Sequence, residues 1–76
     1  MSLVETLELL SKARQYVEQG EQCVLHQHEI IGRLERRGRD SLEAILLLET
    51  LEDMQDAYVA HRDSLERIVL TLVKPE

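Results

Sequence analysis

Between Val4 and Val73 the chain has three glycines and no proline, so the strongest helix breakers are nearly missing and long helices are permitted almost throughout. One stretch interrupts this freedom, ERRGRDSLE at residues 35–43. Arg36 and Arg37 suit the last turn of a helix, where the macrodipole favours cations, and Gly38 can take the left-handed conformation that ends one. Asp40 is then placed to cap a second helix, with Glu43 completing a capping box. Stop, turn and start fit into about four residues, and a connection that short makes two helices run back antiparallel. The reading is all-α: a single helical-hairpin domain over residues 1–76, with a helix over about 4–37, a turn at 38–40 and a helix over about 41–73. Met1-Ser2-Leu3 resembles an expression remnant, and Leu3 carries no weight in the pattern. The rival architecture is one unbroken helix pairing as a parallel coiled coil, which would place Gly38 and Asp40 in mid-helix at a cost.

Apolar residues recur at alternating steps of three and four on both segments, as a helical seam requires. In the first segment these positions are Leu10, Ala13, Val17, Gly20, Val24, Gln27, Ile31 and Leu34, flanked by Leu9, Tyr16, Cys23 and Ile30. In the second they are Ala44, Leu47, Leu51, Met54, Tyr58, His61, Leu65, Ile68 and Leu72. Folding the chain about residue 39 pairs Val24 with Met54, Gly20 with Tyr58, Val17 with His61, and Ala13 with Leu65. Gly20 costs a helix up to about 1 kcal/mol relative to alanine, and reads as room for the Tyr58 ring. His61, placed on the seam, needs a hydrogen-bond partner there.

The flank residues Leu9, Cys23, Ile30, Leu48 and Val69 widen each stripe beyond what one partner helix covers. A chain of 76 residues is near the size at which burying enough apolar surface becomes difficult, and Cys23 is the only cysteine, so no disulfide can help. At about 25 cal/mol per Å² a wet apolar face forfeits an amount comparable to the whole stability of a small domain. A second copy is the simplest cover, which predicts a homodimer forming an antiparallel four-helix bundle.

Composition excludes several function classes. The net charge of −6, from 15 acidic and nine basic residues, disfavours nucleic acid and anionic membranes as partners. With two tyrosines and neither tryptophan nor phenylalanine, base-stacking platforms and aromatic cages lack support. No apolar run approaches the roughly 18 residues of a membrane span, no signal-peptide pattern opens the chain, and a lone cysteine suits a reducing compartment. The expectation is a soluble, cytoplasmic protein.

The stretch CVLHQHE at residues 23–29 raises the question of a metal. On a helix His26 and His28 point about 200° apart, and His61 is expected roughly 13 Å along the axis from His26, so one protomer cannot close a site. No catalytic, cofactor-binding or metal-ligating residue is assigned, and no cofactor is expected. The histidines next to Cys23 read as solvated, and Cys23 as a small buried hydrophobe. The triplet His61-Arg62-Asp63 matches that of the protein-kinase catalytic loop, but it falls within a helix and no glycine-rich loop accompanies it, so chance accounts for it. Glu49, Glu52, Asp53 and Asp56 form an outward acidic strip, a solvated face first and a dock for a basic partner second; paired catalytic carboxylates would need a cleft. Arg33, Arg36, Arg37 and Arg39 gather at the hairpin tip, where helix-end compensation explains Arg36 and Arg37.

Over about residues 17 to 69 the chain carries Gly20 with Glu21, Gln27, Gly38 with Asp40, Leu47 with Leu48, and His61 with Arg62 and Asp63. In these it resembles a set of short, uncharacterised bacterial proteins. The resemblance implies a helical hairpin, lends no activity and carries over no functional residue. The expected function is therefore that of a small non-enzymatic helical module for protein–protein interaction, an adaptor acting as a homodimer. The alternative is a metal- or ligand-responsive sensor that uses the bundle interior and the histidines.

Overall fold

The computed structural model describes residues 1–74; Pro75 and Glu76, which the single-domain expectation includes, lie outside the described residues. Helix α1 spans Leu3–Arg36 and helix α2 spans Leu42–Val73, with no strand among the described residues. They pack antiparallel into a hairpin 61 Å long and 14 Å across. The chain reverses between Arg37 and Ser41, so the unbroken rod is excluded.

The turn works as the local chemistry dictates, with one exception. Gly38 takes φ 67°, the left-handed conformation that lets the Arg39 N–H reach back to the Leu34 carbonyl at 2.9 Å and the Gly38 N–H to the Glu35 carbonyl at 3.1 Å. Those two bonds are a Schellman motif, which satisfies carbonyls that the helix end leaves without partners. Asp40 Oδ1 accepts from the Leu42 N–H at 3.0 Å, relieving one orphan donor of α2. The exception is the capping box: Glu43 makes no hydrogen bond back to the turn, and Ser41, the residue flanking α2, makes no side-chain cap bond either. At the other end Ser2 contributes more than expected of a remnant. Its Oγ accepts from the Glu5 N–H at 3.1 Å and caps α1. Thr6 is fully buried, its hydroxyl donating to the Ser2 carbonyl at 2.8 Å.

The expected α1 seam faces α2 along its whole length. Leu10, Ala13, Val17, Gln27 and Ile31 are buried, and Gly20, Val24 and Leu34 are half-buried. The α2 seam differs at alternate positions. Ala44, Leu51, Tyr58 and Leu65 are buried or half-buried, whereas Leu47, Met54, His61, Ile68 and Leu72 are exposed, and Leu48, Gln55, Arg62 and Val69 take the places of the first four on the inner face. The helix is therefore rolled by about one residue from the expected orientation, and His61 faces outward rather than Val17.

Two glutamines hold this register. Gln27, 5% exposed, donates through Nε2 to the Ala44 carbonyl of α2 at 2.9 Å, and Gln55 donates through Nε2 to the Val17 carbonyl of α1 at 2.8 Å. A methyl group on Gly20 would coincide with Gln55 Oε1. Gly20 thus makes room for a carboxamide rather than for the Tyr58 ring. That ring stacks instead on Tyr16 of α1, with centroids 5.6 Å apart and planes 20° from parallel. Near the open end, Leu65 packs with Leu10 and Ala13 in the buried core, and Val69 covers them.

Candidate interaction surfaces

Open hollows lie on both sides of the hairpin. On one side lies a shallow hollow of about 180 Å³ between Tyr16, Cys23, Leu51, Met54 and Tyr58. A seven-residue step returns a helix to nearly the same face, so Leu9, Tyr16, Cys23 and Ile30 form one row beside this hollow and Leu47, Met54, His61 and Ile68 another. Most of these apolar side chains are wet: Tyr16 is 54% exposed, Leu47 50%, Met54 46%, Leu9 41% and Ile68 39%. Cys23 is exposed as well, which corrects its reading as a buried hydrophobe. Scattered single apolar residues on a surface are ordinary, but rows that adjoin along a rod are not.

The other side carries a groove of about 440 Å³ lined by Glu21, Val24, Leu25, Glu52, Gln55 and Asp56. Leu25, 57% exposed, gives it an apolar floor, and three carboxylates rim it. Glu52 and Asp56 stand four residues apart on α2, as do Glu49 and Asp53; like charges so spaced repel by about 0.2–0.5 kcal/mol per pair. The ion pairs among the described residues lie elsewhere. Arg14 meets Glu66 across the helices at 3.7 Å, and Arg62 meets Asp63 at 3.0 Å and Glu66 at 3.6 Å. Exposed pairs of this kind contribute about 0–1 kcal/mol. Arg62 is half-buried, its hydrocarbon stem lying on the inner face while the guanidinium reaches the carboxylates at the edge.

The residues that raised the metal question are not brought together. Cys23, His26, His28 and His61 are all exposed, and among the described residues no group of three or more His, Cys, Asp or Glu side chains is arranged to hold an ion. Arg33, Arg36, Arg37 and Arg39 sit at the tip, exposed; Arg33 and Arg37 line a small depression with Ile30 and Leu34. Among the described residues no helix is long and apolar enough to cross a membrane. Gln55 and Arg62 are the inner-face residues that apolar periodicity missed. The signal that could have found Gln55 is the glycine opposite it, since an unexplained glycine in a helix marks a close approach by something.

These features define a two-helix hairpin with an exposed apolar hollow on each side, one of them rimmed by carboxylates. No family model, curated protein or solved structure matches the chain.

Proposed function

We propose that the protein is a non-enzymatic helical interaction module that works as a homodimer, its apolar sides packed together in a four-helix bundle. The observation that carries this reading is the double row of Leu9, Tyr16, Cys23 and half-buried Ile30 beside Leu47, Met54, His61 and Ile68, all but Ile30 exposed. The hairpin alone has a thin core, Leu10, Ala13, Val17, Ile31 and Leu65, as expected of a chain that completes its burial by association. In such a dimer the carboxylate-rimmed groove and the arginine tip remain outward, and they are the surfaces offered to a further macromolecule in the cytoplasm. The interaction reading is preferred to a sensor built on the histidines because those histidines stand apart on separate exposed positions.

Sedimentation at micromolar concentration tests it. Wild-type protein is expected to run as a dimer, and Met54→Glu with Ile68→Glu, which places charge on the apolar side, is expected to lose the dimer and much of its helicity. A folded wild-type monomer at that concentration overturns the reading.

A further inference from the structure

We infer that the carboxylate-rimmed groove takes a basic amphipathic helix of another protein, with one aliphatic side chain on Leu25 and lysines or arginines beside it at Glu21, Glu52 and Asp56. The inference rests on the interaction reading above and names the chemistry of the partner; it does not depend on the dimer. The groove has the two parts such a helix needs. Val24 and Leu25, the latter 57% exposed, form an apolar floor, and carboxylates from both helices stand at its edges.

Charge is segregated along the rod. On α1 no lysine or arginine occurs between Arg14 and Arg33, and on the return none occurs between Arg39 and Arg62. The chain folds back about the turn, so these two stretches lie side by side. With the histidines neutral at pH 7, the middle of the hairpin is a belt in which every formal charge is a carboxylate. Near the open end charge is compensated across the helices, Arg14 meeting Glu66 at 3.7 Å. Seven residues further along the same face of α1 stands Glu21, and neither it nor Glu52 nor Asp56 has an ion pair among the described residues. The field of such a belt draws in cations and repels nucleic acid and anionic lipid. It also opposes a second copy laid groove to groove, which would set Glu21, Glu52 and Asp56 against their own counterparts.

The walls decide the form of the partner. Both are α-helices, whose backbone N–H and C=O groups bond within their own helix. An extended segment in the groove would find no main-chain partners and would leave its own polar backbone unpaired against the apolar floor. A helix satisfies its backbone internally, and the groove between two packed rods runs in the direction a third rod takes. The floor is short, because a seven-residue step from Leu25 reaches Glu18 one way and Gly32 the other. Apolar contact therefore ends within about two turns. One aliphatic anchor, with basic residues three and four positions to either side, matches that pattern.

The probe is a rhodamine-labelled, alanine-based helical peptide of about 18 residues, with one central leucine and lysines three and four positions to either side. Fluorescence anisotropy follows its binding to the full chain. Saturable binding is expected, weakening as salt is raised. Glu52→Gln with Asp56→Asn strips charge from the rim and relieves a repulsion within α2, so the fold is spared; affinity is expected to fall about fivefold. Glu29→Gln with Asp53→Asn removes the same charge from exposed positions outside the groove, and a change of less than about twofold is expected. Leu25→Ala, or alanine for the leucine of the peptide, is expected to cost about tenfold. Equal losses in the two neutralised pairs, or full affinity in Leu25→Ala, reduce the contact to general attraction by the belt and overturn the inference. Absence of saturable binding below about 1 mM does the same. If Glu52→Gln with Asp56→Asn, without peptide, sediments as a smaller species than wild type, a second copy fills the groove and the inference falls. Wild type that runs as a monomer yet binds the peptide overturns the homodimer and leaves the groove assignment standing.

Discussion

Replacing Gly20 with alanine sets two effects of similar size against each other. Alanine gains about 1 kcal/mol over glycine in helix propensity. Its methyl group would coincide with Gln55 Oε1, so the carboxamide must swing out of the seam and give up its 2.8 Å bond to the Val17 carbonyl, an interaction contributing about 0.5–1.5 kcal/mol. Gln55 Oε1 has no hydrogen-bond partner in its buried position, so moving the amide to water recovers part of that loss. The expected change for Gly20→Ala is therefore within about 0.5 kcal/mol of zero. In a Gln55→Ala background nothing occupies the space, and the same substitution is expected to stabilise by the full propensity gain of about 1 kcal/mol. The coupling in the double-mutant cycle is then about 1 kcal/mol. Urea unfolding followed by far-ultraviolet circular dichroism measures it, with all four proteins at one concentration so that association shifts them equally. If Gly20→Ala stabilises both backgrounds alike, the glycine is not there for the carboxamide and the reasoning fails.

Leu65→Ala empties the centre of the cluster formed with Leu10 and Ala13, where Leu65 is 4% exposed; a loss of about 2–3 kcal/mol is expected in the same urea assay, and a loss below that of an exposed leucine such as Leu25 contradicts the core assignment. Gly38→Ala meets no atom within 4 Å but must hold φ 67°, so thermal unfolding is expected to show a cost of about 1–2 kcal/mol from the backbone alone, with Gly38→Asn costing less; no difference between the two substitutions argues against a left-handed cap.

The hairpin was legible because its determinants are local. A breaker-free chain with a single Gly-x-Asp interruption leaves few alternatives, and the α1 seam stands out because the opposite side of that helix is plainly polar. The orientation of α2 was less legible. Leu42, Ile45, Leu46, Leu47, Leu48 and Leu51 spread apolar surface around most of its circumference, so a three-and-four spacing can be drawn through more than one set of positions. The spacing that maximises hydrocarbon selects Leu47, Met54, His61 and Ile68. The folded hairpin instead turns Gln55 and Arg62 inward, since a carboxamide finds room at Gly20 and a carbonyl at Val17, and an arginine stem can cover the seam with its charge at the rim. Periodicity counts greasy residues and does not see such polar fits. The same bias hid the apolar side, whose α2 residues were assigned to the interior. The cap at Ser2 is polar and local, and apolar spacing says nothing of it.

The paired glutamines reach in opposite directions, Gln27 from α1 to α2 and Gln55 from α2 to α1. Sliding one helix past the other by a turn, about 5.4 Å, would bring each amide to an equivalent backbone carbonyl but would set Gln55 against Val17 or Val24 instead of Gly20, and such overpacking costs about 1–3 kcal/mol. One-turn ratchets of this kind are a known means of passing a signal along packed helices. Here such a slide carries a cost at one notch, the gap at Gly20 that admits the Gln55 carboxamide and nothing larger beside it.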